Sequence, residues 1–182
     1  MMEMDNFEYV DVQKKNGRVI RRKIALVSLY IIYALTFLIL GALTRLIAPL
    51  LAFIPLTIWM MVFATWRYTN IEYEYSISSG ELTYSKIYGG RSRKTQLKVI
   101  IKDFESIWKL ESRESYDRAE MYKPKNKYVA VSSLDDENVY FALFQNKKHE
   151  PCIFYFKAND KALKIMKYYN SHAFIGMWNQ NK

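Results

Sequence analysis

One short segment concentrates the groups that could do chemistry: Lys86-Ile87-Tyr88-Gly89-Gly90-Arg91-Ser92-Arg93-Lys94. Its four cations, Lys86, Arg91, Arg93 and Lys94, flank a Gly-Gly turn. Cations projecting from adjacent strands can clasp a phosphate between them, and arginine adds a two-pronged donor fork. These four are therefore the candidate lipid or phosphate contacts; the plainer alternative is a solvated basic hairpin. The remaining titratable groups offer less. His149 sits in a polar turn and His172 near the end of a helical segment, and neither has an acid, Cys or second His at metal-ligand spacing. Asp135-Asp136-Glu137 reads as an exposed acidic turn. Ser132-Ser133 lacks a Gly-x-Ser-x-Gly setting, and Gly89-Gly90 has neither the spacing nor the following helix of a phosphate loop. The single cysteine, Cys152, rules out an internal disulfide or a paired-cysteine zinc cluster and lies in an apolar run, where a buried, inert thiol is expected. No catalytic, cofactor-binding or metal-ligating residue is assigned, and the expectation is a non-enzyme without cofactor.

What must position the basic block begins with two uncharged apolar runs, residues 24–44 and 46–66, separated by Arg45 alone. Each matches the roughly 20 residues needed to cross a hydrocarbon core. Core helices of soluble domains are shorter and keep a polar stripe. Here the polar side chains are hydroxyls, Ser28, Thr36, Thr57 and Thr65, and the phenols of Tyr30 and Tyr33. Hydroxyls can bond back to their own helix. A cleaved signal peptide does not fit, because a second run follows at once. Lys14, Lys15, Arg18, Arg21, Arg22 and Lys23 precede the first run and Arg67 follows the second, so the positive-inside rule places both termini in the cytoplasm of a cell-membrane protein with two passes. Residues 1–23 read as a basic cytoplasmic leader. Pro49 falls in the first turn of the second helix and Pro55 deeper, where a kink is expected. Neither run holds Asp, Glu, Lys, Arg or His, which argues against an ion or proton path. Gly41 and Ala42 are small enough to let the helices approach.

The chain carries a formal charge of +9, and residues 68–182 contain 19 Lys and Arg against 14 Asp and Glu. That mild basicity is too weak for a nucleic-acid partner. The same stretch reads as a sheet. Residues 71–78 alternate strictly, Ser79-Gly80 turns the chain, and residues 81–88 alternate again before Gly89-Gly90. Further strands are predicted near 92–100, 106–112, 127–133, 139–145 and 152–157. The charged stretch 113–126, with Pro124, predicts an exposed loop containing at most a helical turn around 116–121. From Asn159 or Asp160 as cap, Ala162, Leu163, Ile165, Met166 and Tyr169 follow a helical stripe, giving a helix over 159–172 and a tail over 173–182.

Seven antiparallel strands closed by a C-terminal helix resemble the pleckstrin-homology (PH) superfold. The run Glu74-Tyr75-Ser76-Ile77-Ser78-Ser79-Gly80-Glu81-Leu82, with Lys86-Ile87 and Arg91-Ser92-Arg93-Lys94 after it, resembles bacterial PH-like domains. The whole chain is similar to uncharacterised Gram-positive membrane proteins with a Lys-rich leader, a helical hairpin and this block. The resemblance implies an α+β membrane protein: a transmembrane hairpin, then a PH-like seven-stranded antiparallel barrel or sandwich over 68–172. It implies no activity. Many eukaryotic PH domains grip inositol phosphates with a Lys, a turn and two basic residues one apart, but on their first and second strands; here the block falls on the predicted second and third. PH-like folds also bind peptides along an open strand edge. The aromatic runs Val139–Phe144 and Ile153–Phe156 carry aromatics on both faces, one expected in the core and the other under the 113–126 segment; the Phe174–Trp178 tail is a loose end or a docking segment. The expected partners are thus the membrane, a protein recruited to a scaffold at its surface, and, alternatively, anionic lipid headgroups.

Overall fold

The computed structural model describes Asn6–Val12 and residues 17–174. Lys14, Lys15 and the Ile175–Trp178 part of the tail lie outside the described residues, as does the side chain of Arg18. The element order is β1 (Asn6–Val12), α1 (Gly17–Thr44), α2 (Ile47–Thr65), β2 (Ile71–Ser78), β3 (Glu81–Tyr88), β4 (Ser92–Ile100), β5 (Phe104–Lys109), α3 (Arg113–Met121), β6 (Asn126–Ala130), β7 (Val139–Gln145), β8 (Pro151–Lys157) and α4 (Asp160–Tyr169). Two compact units result. One holds the sheets with α3 and α4; the other spans Lys14–Ile71 together with the turn Tyr88–Arg91.

In the sheet unit, eight strands form two four-stranded sheets, ordered β1-β2-β3-β4 and β5-β7-β8-β6. The seven-strand, all-antiparallel expectation is corrected on two counts. The added strand is β1, which lies in the segment read as a basic leader and pairs antiparallel with β2, from Asn6 opposite Ser78 to Val12 opposite Glu72. Phe7 is buried against the core, while Val10 and Val12 on the other face stay exposed and Asp11 on the inner face is buried, so the strand lacks a clean apolar-polar alternation. Asp11 Oδ2 accepts the backbone N–H of Ser132 at 2.8 Å, which ties the leader strand to the far sheet. Secondly, β6 runs parallel to β8, whereas β7 pairs antiparallel with both β5 and β8. Alternation reveals a strand but not its neighbour's direction.

Between the sheets lies an aromatic core. Tyr75, Ile77, Leu82 and Tyr84 meet Ile107, Phe144, Phe154 and Phe156, and Ala162, Ile165 and Met166 of α4 complete it. The buried phenols find main-chain acceptors: Tyr75 Oη donates to the Lys157 carbonyl at 2.6 Å and Tyr84 to that of Val129. Burial holds the Tyr75 hydroxyl well above the usual phenol range. A second cluster covers the outer face of the β5–β8 sheet, where Trp108, Phe141, Leu143, Ile153 and Tyr155 pack with Ala119 of α3. The segment expected as a loop is therefore mostly helix. Ser112 caps it, its Oγ accepting from Ser115 N–H at 3.3 Å, and Glu114 pairs with Arg118 one turn on at 3.0 Å. Only Ser115 and Ala119 of α3 are buried, so no apolar stripe announces it. Asn159 caps α4 as expected, accepting from Ala162 N–H at 2.9 Å. Asn170 then donates to the carbonyls of Ile101 and Phe104 at 3.0 and 2.9 Å, locking the end of α4 to the β4–β5 corner.

In the second unit, α1 and α2 form an antiparallel-type hairpin whose turn places Arg45 at φ 62°, with Leu46 N–H donating to the Gly41 carbonyl at 3.0 Å. A Cβ on Gly41 would lie 2.7 Å from the Leu50 Cδ1, so a larger residue here would require that side chain to move. Thr36, Thr57 and Thr65 return hydroxyl protons to carbonyls one turn back, at 2.8, 3.1 and 2.7 Å. The phenols reach across instead: Tyr33 Oη donates to Thr57 Oγ1 at 3.0 Å, and Tyr30 pairs with Thr65. Val19–Thr44 and Ile47–Thr69, 26 and 23 residues, are both long and apolar enough to cross a membrane, and about nine-tenths of each most apolar stretch is uncovered.

Candidate functional site

The four cations singled out by spacing do not share one fate. Arg93 on β4 reaches past β3 to Glu74 on β2, with Nη2 2.7 Å from Oε2. The Glu74 side chain is only 6% exposed, and burial pushes its carboxyl above the usual range, with Arg93 opposing and Glu8 and Glu72 reinforcing that shift. Lys86 lies at the end of β3 with its ammonium 5.8 Å from the Tyr73 ring centre. Arg91 and Lys94 are exposed, Arg91 at the turn and Lys94 on β4. Arg93 and Lys86 are thus engaged within the sheet unit, and Arg91 belongs to the helical unit.

Beside the turn that leads into Arg91 the helical unit builds a collar that spacing did not reveal. After α2 the chain makes a 3-10 turn, Trp66–Thr69, closed by Thr69 Oγ1 donating to the Trp66 carbonyl at 2.8 Å. Lys23 of α1 donates to Asn70 Oδ1 at 3.0 Å and lies 5.9 Å over the Trp66 ring. The Arg67 guanidinium lies 4.8 Å over the Tyr68 ring and donates to its hydroxyl at 2.9 Å. The turn Tyr88–Arg91 docks on this base: Gly89 N–H donates to the Asn70 carbonyl at 2.8 Å, and the Tyr68 and Tyr88 rings meet edge to face at 5.7 Å. Gly89 sits at φ +59°, and a Cβ there would lie 3.1 Å from the Arg67 Cα. Lys23 and Arg67 carried an orientation signal in the sequence, but nothing in the spacing placed the turn that precedes Arg91 beside them.

The two units also divide the charge. Residues 14–71 and 88–91 contain nine Lys and Arg and no Asp or Glu, whereas the remainder contains 18 of each. The whole formal charge of +9 therefore resides in the helical unit, and the mild basicity counted over residues 68–182 vanishes once Arg91 is counted with the helical unit and residues 1–13 contribute their four acids.

The sheet unit offers a different kind of site. Among the described residues, β4 and β6 are the last strands of their sheets, each with a strand neighbour on one side only. A groove of about 630 Å³ runs along β4 to β6 and the β7–β8 turn. Leu97, Val99, Tyr128 and Phe144 give it apolar walls, and the Tyr128 and Phe144 rings stack at 6.4 Å. Its rim is polar. Lys98 and Glu81 pair at 3.5 Å, and Glu150 is held by Lys125 and by Asn146 Nδ2 at 2.9 Å. Those hydrogen bonds, Lys125 first, bring the Glu150 carboxyl down to about 2.

Other candidates from the sequence take structural roles. The acidic turn is not wholly exposed: the Asp136 side chain is 9% exposed, 3.4 Å from Ser132 Oγ and 3.6 Å from Lys157 Nζ. Cys152 is buried as expected, its thiol donating to the Glu150 carbonyl at 3.3 Å. Among the described residues, no group of three or more His, Cys, Asp or Glu is placed to hold a metal ion.

No curated protein and no solved structure matches the chain. A family model does match, that of the bacterial PH-like domain (DUF6106), over residues 5–175. The match begins within one residue of β1 and extends past α4, so it takes in the leader strand and the helical hairpin between β1 and β2. PH-like domains are in general non-catalytic modules. The chain belongs to the bacterial PH-like domain family.

Proposed function

We propose that the chain is a membrane-anchored recruitment module, holding a non-enzymatic PH-like domain at the cytoplasmic face of the cell membrane and taking up an extended segment of a partner protein along the open edge of β4. The anchoring reading is supported by two helices of sufficient length whose apolar surfaces are almost wholly uncovered. The pairing of β1 with β2 adds a topological constraint. These strands flank the hairpin on either side and share a sheet, so both ends of the hairpin lie on one side of any membrane it enters. The acid-free, lysine- and arginine-rich ends make that side the cytoplasm.

The observation that carries recruitment is the β4 edge beside an apolar groove. An added strand gains main-chain hydrogen bonds from the edge and side-chain specificity from alternate pockets. Leu97, Val99 and Tyr128 would receive such side chains. The groove's acids and lysines balance, so the partner is defined by extended, alternating apolar sequence rather than by charge.

The test places a photo-crosslinking residue at Lys98 in the full chain in its native cells, with Asp117 on α3 as the control position. The expected result is a discrete protein adduct at position 98 alone. A synthetic peptide spanning the crosslinked segment then binds the purified full chain and slows amide exchange in β4. Equal adducts at both positions, or a peptide that binds without protecting β4, contradicts the reading.

A further inference from the structure

The collar at the base of the hairpin is not used by the recruitment reading. It joins two cations, Lys23 and Arg67, to three aromatic residues, Trp66, Tyr68 and Tyr88, and Arg91 follows directly on the docked turn, within a unit that contains no carboxylate side chain. The missing counter-charge has to come from outside that unit. The location also defines what can supply it. Trp66–Thr69 follows directly on an apolar helix, and amphipathic Trp and Tyr rings belong at the headgroup level of a bilayer. Arginine presents a fork that fits phosphate oxygens, and lysine adds a point charge. The turn is held there rather than merely nearby, because Gly89 bonds the Asn70 carbonyl and its bare Cα faces Arg67.

We propose that Lys23, Arg67 and Arg91 form a headgroup site for an anionic phospholipid at the base of the hairpin, and that the Gly89–Gly90 turn exists to bring Arg91 to it. The site differs from a clasp made by the four cations of the basic block. Arg93 already holds Glu74, Lys86 lies over Tyr73, and the two cations that replace them come from the ends of α1 and α2. Cationic groups near an anionic surface each add a modest attraction, so the occupant is a single phosphodiester headgroup selected over zwitterionic neighbours, and the preference falls on the order of fivefold per cation removed. The site rests on the membrane insertion proposed above.

The test reconstitutes the full chain in nanodiscs of phosphatidylcholine containing a minority of phosphatidylglycerol. The enrichment of each lipid around the protein is read with spin-labelled lipids. The expected result is enrichment of phosphatidylglycerol that is lost stepwise in Lys23→Gln, Arg67→Gln and Arg91→Gln and retained in the control Lys161→Gln/Lys164→Gln, which removes two cations elsewhere. Gly89→Ala keeps every charge while unseating the turn, and lowers enrichment about as much as Arg91→Gln. Inorganic phosphate displaces the lipid no better than chloride at equal ionic strength. Enrichment that survives the three collar substitutions, falls equally in the control, or yields preferentially to inorganic phosphate overturns the site. Extraction of the chain by alkaline carbonate overturns the membrane reading beneath it; retention with equal occupancy by the two lipids overturns the site alone.

Discussion

The helical unit and the sheet unit solve opposite problems with the same chain. The helical unit holds nine cations and no anion, keeps its apolar side chains on the outside and pairs the phenols of Tyr30 and Tyr33 with threonines of the facing helix. The sheet unit is electrically neutral and turns its aromatics inward, with Tyr75, Tyr84, Phe141, Phe144, Phe154 and Phe156 all nearly without exposure. Where the surroundings are water, apolar burial supplies the stability. Where the apolar surface is itself outside, packing and hydrogen bonds between the helices must do so. The difference predicts where substitutions hurt.

The largest contrast is between a core aromatic and an outward aliphatic. Phe154→Ala empties the centre of the sheet unit and should cost about 3–5 kcal/mol in denaturant unfolding followed by near-ultraviolet circular dichroism. Leu35→Ala, on a residue 53% exposed in α1, should cost about 0.5 kcal/mol or less. Equal effects would break the comparison. Next is Asp11→Ala, which leaves the Ser132 N–H without its buried acceptor and should destabilise the sheet unit by about 1–3 kcal/mol. No effect would mean that the leader strand is not part of that unit. A smaller loss, about 0.6 kcal/mol, is expected from Tyr33→Phe in unfolding from detergent, since the bond to Thr57 is an interhelical one.

The smallest effects are slopes with pH, and they oppose one another. The folded carboxyl of Glu74 lies above its ordinary 4.5, so the folded state binds more protons in that window and stability declines as pH rises through it. The folded carboxyl of Glu150 lies at about 2, so its contribution is present above 4.5 and is lost as pH falls from there toward 2. Glu74→Gln should flatten the first slope and Glu150→Gln the second. Unchanged slopes in urea titrations across pH 2–6 would contradict both assignments.

Much of the sheet was legible because its strands obey a local rule. Residues 71–78 and 81–88 alternate cleanly around Ser79-Gly80, and the structure ends β2 and β3 at those residues. β1 escaped because its inner face carries Asp11 and its outer face Val10 and Val12, and because the basic residues after it dominate the local composition. α3 escaped for want of an apolar stripe, and the parallel β6–β8 pair because direction is a property of two strands, not one. The site divides in the same way. Arg91 was visible by type and spacing, but the capture of Arg93 depends on Glu74 two strands away, and the collar depends on Lys23 and Arg67 meeting residues that are remote in sequence.

The central claim is that the hairpin crosses the membrane as an insertion between two paired strands, leaving the PH-like domain and both hairpin ends in the cytoplasm. Single cysteines in a Cys152→Ser background, treated in intact cells with a membrane-impermeant maleimide, test it most directly. Arg45→Cys, at the turn between α1 and α2, should label in intact cells, and Asp117→Cys, on the exposed side of α3, only after permeabilisation. Labelling of Asp117→Cys in intact cells, or protection of Arg45→Cys until the cells are opened, would contradict the account.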